Sequence, residues 1–136
     1  MRLWILACLA ACAADPATTT TSAQMTRTGG LAPHRDGSSC QPMDETFDFD
    51  ASTRALTWRV CTSPNDTDPF GYRTGSTVLD AATASQLDAA LHNLRATAQA
   101  CGSDITDTVI VDGMTWTDAQ CANDAAAFEI VEPLVH

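Results

Sequence analysis

The sequence predicts an α+β domain: two antiparallel β-hairpins forming a small sheet, one long amphipathic helix packed across it, and disulfide staples. Three observations carry this. Apolar and polar residues alternate on both sides of two turn signals, at residues 51–54 and at Asp112-Gly113. Between the two hairpins lies a stripe, Ala84, Leu87, Leu91, Leu94 and Ala98, with the three- and four-residue spacing of one helix face. Four cysteines, Cys40, Cys61, Cys101 and Cys121, fall in the same region.

The first hairpin comes from Phe47 and Phe49 alternating with Asp48 and Asp50, then a turn, then Leu56, Trp58 and Val60. If Asp50 faces Ala55, Phe47 lies opposite Trp58 and Phe49 opposite Leu56, the kind of cross-strand pairs that hold a sheet together. Residues 62–75 are rich in turn formers and read as a long loop, followed by a short strand at Thr77-Val78-Leu79. Asp80 is placed to cap the helix, because its carboxylate can accept the free N–H groups of the first turn. Gly102 is the expected stop. In the second hairpin both turn positions need positive φ, which suits Asp112-Gly113, and Val111 then faces Met114 while Val109 faces Trp116. The segment 124–132 reads in two ways. Phe128 and Ile130 alternate as in a strand; alternatively Asn123 or Asp124 caps a short helix that buries Phe128 and Val131 until Pro133 ends it. The helix is the reading adopted.

The 136 residues fit one compact domain. All seven basic residues are arginine, against seventeen acids, for a net charge of −10. That balance disfavours nucleic acid, whose phosphates need a basic face, and electrostatic docking onto anionic lipid. A hydrophobic content of 45% is too high for wholesale disorder.

The chain begins with one charge, Arg2, and an apolar run of about ten residues from Leu3, too short to span a bilayer and typical of an export signal. Its exit, Leu9-Ala10-Ala11-Cys12, resembles the lipobox of bacterial lipoproteins. The resemblance implies cleavage after residue 11 and a lipidated Cys12 as the first residue of the exported chain, stably anchored by several acyl chains. Ala13, rather than Asp, at the next position implies anchoring in the outer membrane. The same small residues, Ala11-Cys12-Ala13, also fit ordinary signal cleavage, which would leave a periplasmic or secreted protein. Residues 12–39 then read as anchor site and disordered Ala/Thr/Ser/Gly tether, and 40–135 as the folded domain.

An even number of cysteines in an exported domain reads as two disulfides. The hairpin registers favour Cys40–Cys61 and Cys101–Cys121, with Cys61–Cys101 and Cys40–Cys121 as the alternative. Gaps of twenty or more residues do not suit a zinc site, whose ligand pairs sit close together.

Other constellations fall short. Asp66, Asp68 and Gly71 start like a calcium loop, but Phe70 and Thr77 stand where further ligands belong. Gly71 and Gly75 are too close for a phosphate loop and no lysine follows. His34 and His136 lie outside the elements, and His92 lies beside the apolar stripe rather than on it. No catalytic set, metal site or cofactor motif emerges. Phe70, Tyr72 and Arg73 remain as binding candidates, since aromatics and arginine on loops are favoured contact residues; the alternative is that Phe70 and Tyr72 fold back to cover the sheet edge. The expected role is a binding or interaction module of the cell envelope, with an envelope or extracellular protein as partner. The alternatives are a small hydrolase with dispersed carboxylates and a structural envelope component.

Overall fold

In the computed structural model, which describes residues 22–30, 35–94, 104–117 and 125–135, both expected hairpins form in the expected register. The first joins β2 (Glu45–Asp50) to β3 (Ala55–Thr62), with Phe47 opposite Trp58 and Phe49 opposite Leu56. The second joins β5 (Ile105–Val111) to β6 (Met114–Thr117) through Asp112 and Gly113, whose φ values of 47° and 83° are those this tight turn requires.

Two further strands complete the sheet, and both correct the reading above. Residues 12–39 are not a tether throughout, because β1 (Ser22–Gly29) pairs with β2 on one side and β5 on the other. It is the strand that joins the two hairpins. Nor is 62–75 a loop to its end: β4 (Gly71–Val78) pairs with β3 along its whole length and replaces the short strand expected at 77–79. Among the described residues the order is β4-β3-β2-β1-β5-β6, antiparallel throughout.

The helix layer also differs from one long helix packed across the sheet. Helix α1 (Ala81–His92) starts as expected, with the Asp80 carboxylate accepting the Thr83 N–H at 2.9 Å. It ends at His92, where Asn93 caps it, so Leu94 is buried beyond the helix rather than on it. Ala98 and Gly102 lie outside the described residues. The second helix, α2 (Ala125–Val131), takes the helical reading of the last segment and runs into a 3-10 turn, Glu132–Leu134, containing Pro133.

Both helices cover one face of the sheet. Inward residues Met25, Phe47, Phe49, Leu56, Val60, Val109 and Val111 form one core with Leu87 and Leu91 of α1 and Phe128 and Val131 of α2. Each such side chain contributes about 1.5–3 kcal/mol by leaving water. Cys40 and Cys61 are disulfide-bonded with Cα atoms 5.9 Å apart, holding the segment before β2 against β3. Cys12, Cys101 and Cys121 lie outside the described residues. No described helix is long and apolar enough to cross a membrane.

Candidate functional site

Charged residues gather at three places, and geometry separates these by role. The first is buried. Strand alternation points Arg27, Glu45 and Asp107 toward the helices, at positions where an apolar residue is the usual occupant. Asp107 is 0% exposed. Arg27 grips it bidentately, Nε to Oδ1 at 2.9 Å and Nη2 to Oδ2 at 3.1 Å. The Arg27 Nη1 also donates to Glu132 and lies 4.0 Å from the Glu45 carboxylate, while the guanidinium stacks over Phe128 at 4.2 Å. Burial pulls the guanidinium pKa down, but the hydrogen bond to Asp107 and the surrounding carboxylates outweigh it and hold the pKa above its ordinary value. The Arg27 guanidinium therefore stays charged and ties β1, β2, β5 and the 3-10 turn together.

The second group lines a concavity of about 430 Å³ on the other face, walled by Gln24, Asp48, Asp50 and Asp112. Each carboxylate already serves local structure. Asp48 accepts from the Gln24 amide at 2.7 Å, and Asp112 accepts the Ser22 N–H at 3.1 Å. Asp50 accepts from the Ser52 hydroxyl and N–H, which hold its pKa below the ordinary carboxylate value. A general acid needs its carboxyl shifted the other way.

The third group surrounds the residues singled out in the sequence. Phe70 is half-buried under the Arg35 guanidinium, 4.4 Å from the ring centre, and its backbone is tied to Ser38 and Ser39. It packs rather than presents. The same Arg35 donates to the carbonyls of Asn65 and Asp68, so an arginine fills the loop that began like a calcium site. Tyr72 and Arg73 are exposed and together wall a cleft of about 460 Å³ with Pro64 and Pro69. Tyr72 is 39% exposed yet held at both ends, with the Arg59 guanidinium 3.9 Å over its ring and its hydroxyl donating to Asp44 at 3.3 Å. Thus Tyr72 and Arg73, from opposite faces of β4, both line this cleft and Phe70 does not. Arg59 and Asp44 belong to that site and were not singled out in the sequence. The register offers the signal: a residue of β3 pairs with one of β4, so Arg59 lies beside Tyr72 once β4 is known.

Around this site the outer face of the sheet is hydroxyl-rich. Pairing across all six strands lines up Thr74, Arg59, Thr46, Thr26, Thr108 and Thr117 in one row. His92 bonds back to its own helix at the Asp88 carbonyl, 2.9 Å away. No group of metal-ligating side chains occurs among the described residues. Comparison with protein-family models, curated proteins and solved structures returns no match to this chain.

Proposed function

We propose that this chain is an exported, lipid-anchored protein of the cell envelope whose folded domain is a binding module, with Tyr72 and Arg73 at the centre of its contact surface. The observation that carries the reading is the clamped state of Tyr72, exposed to solvent but fixed by Arg59 and Asp44. A pre-ordered aromatic loses little entropy when a partner covers it. Tyrosine and arginine are also the side chains that most often dominate interface energetics.

The placement of β1 supports the same reading. If Cys12 carries the lipid, the chain from Cys12 to Ser22 reaches at most about 35 Å. The turns at Asp50–Ala55 and Asp112–Gly113 share the Ser22 end of the sheet. Gly71 and Tyr72 lie at the far end, opposite Thr62 and Cys61. An anchored domain would then present the Tyr72–Arg73 cleft away from the lipid surface.

Two experiments test this. Cys12→Ser is expected to release the protein from membranes; unchanged membrane association ends the anchor reading. Envelope extract passed over the immobilised protein is expected to leave a bound partner that the double variant Tyr72→Ala, Arg73→Glu fails to retain. Equal retention by both ends the assignment of the surface.

A further inference from the structure

We propose that the free edge of β4 pairs antiparallel with the β4 of a second copy, joining two sheets into one across a two-fold axis at Gly75. This goes beyond the binding reading above and does not depend on it. The direction of the backbone groups follows from two hydrogen bonds. Cys61 N–H donates to Asp44 and Leu79 N–H to Arg54, at 2.8 and 2.9 Å. With the observed registers and the alternation of antiparallel ladders, Gly71, Arg73, Gly75 and Thr77 turn their N–H and C=O toward β3. Tyr72, Thr74, Ser76 and Val78 turn theirs outward. The segment at Ser38 and Ser39 occupies the outward side at Phe70, and among the described residues nothing pairs beyond it.

Sheet edges are normally guarded by shortness, proline, bulges or charge. The edge of β4 is eight residues long and pairs with β3 without a bulge. It contains no proline, and Arg73 is its one charge in a chain with seventeen acids. It also carries Tyr72 and Val78, exposed to 39% and 65%, two of the four large apolar side chains that stand exposed among the described residues.

The strand is complementary to itself in one register. An axis at Gly75 sets Tyr72 opposite Val78 of the second copy and Thr74 opposite its Ser76. Aromatic with β-branched and hydroxyl with hydroxyl are favourable cross-strand pairs, and each occurs twice. On the helix side Arg73 meets Thr77, so the two arginines do not face each other. Gly75 meets Gly75, and each is roofed by its own Trp58: a Cβ on Gly75 would lie 2.1 Å from the Trp58 ring. Isologous pairing of this kind closes at two subunits, the commonest arrangement of soluble oligomers.

Sedimentation over a concentration series tests the pairing. The parent chain is expected to move from monomer to dimer, more readily as salt screens the net charge of −10 on each copy. Ser76→Pro removes an outward N–H, and Val78→Lys places a charge at the seam where Val78 is mostly exposed; either should weaken dimerisation about tenfold or more. Cross-linking tests the register. Co-expressed Thr74→Cys and Ser76→Cys chains should join on oxidation, because directly paired Cα atoms sit about 5.5 Å apart. Thr74→Cys alone should join far more slowly, its diagonal partner being about 7–8 Å away. A parent that is monomeric at every concentration, a dimer indifferent to both Ser76→Pro and Val78→Lys, or equal cross-linking in both mixtures overturns the proposal.

Discussion

Arg27 and Arg59 each stack over an aromatic ring, at 4.2 and 3.9 Å, yet they do opposite work. Arg27 lies between the central strands and the helices, where the fully buried Asp107 needs its charge. Arg59 lies on the open face, where its ring contact with Tyr72 is bathed in water. The same contact is therefore obligatory in one place and adjustable in the other. The centre of the sheet is committed to holding the fold together, while the Tyr72 contact at the β3–β4 margin stands exposed to solvent.

The largest expected effect breaks the centre. Asp107→Ala leaves Arg27 buried without its main partner and should cost about 3–5 kcal/mol in a urea titration. Asp107→Leu combined with Arg27→Met should be less damaging than Asp107→Leu alone, because the desolvation cost goes with the charges. A combined loss equal to the sum of the single losses would mean that the two residues do not act as a pair.

The margin should lose less. Replacing both Cys40 and Cys61 by serine frees a loop of about twenty residues and should cost roughly 3 kcal/mol. Gly75→Val drives a side chain into the Trp58 ring and should cost about 1–3 kcal/mol, visible as a lowered melting temperature. A neutral result would show that Trp58 can swing aside. Arg59→Ala should cost about 0.5–1 kcal/mol, the scale of an exposed cation–π contact, and should free the Tyr72 ring in NMR relaxation.

Acidification perturbs one turn and one helix cap. Hydrogen bonds to Asp50 from Ser52, and to Asp80 from Thr83, hold both pKa values below the ordinary 3.8. A depressed pKa in the folded state stabilises above the unfolded value, and that contribution disappears as pH falls through the folded one. Stability should thus decline slightly below the ordinary carboxylate range, and Asp50→Asn and Asp80→Asn together should flatten that decline.

Much of this architecture was legible. Phe47, Phe49, Leu56, Trp58 and Val60 form a clean alternation, and a two-residue period admits one register once the turn is placed. Asp112-Gly113 marked its turn for the same kind of local reason. The Cys40–Cys61 bridge followed from that hairpin geometry. The candidate site was half-legible. Tyr72 and Arg73 were marked by residue type, and packing was one of two readings of Phe70, but the Tyr72 partners Arg59 and Asp44 do not follow from spacing.

The two missed strands share one explanation. The inward positions of β1 are Ala23, Met25 and Arg27, and those of β4 are Arg73, Gly75 and Thr77. The first set breaks off after two apolar residues, and the second has none. Arg27 is inward because Asp107, eighty residues away, waits for it on β5. Gly75 is inward because the Trp58 of the neighbouring strand already covers that site.

By itself the sequence determined what depends on near neighbours: two hairpins with their registers, the start of the first helix and the bridge beside the first hairpin. Tertiary structure alone decided which strand joins the hairpins, where the helix layer divides and which strands stand at the sheet's edges among the described residues. Hydrophobic periodicity records a side chain's own fitness for burial. It cannot record burial licensed by a distant carboxylate or by an indole from the next strand.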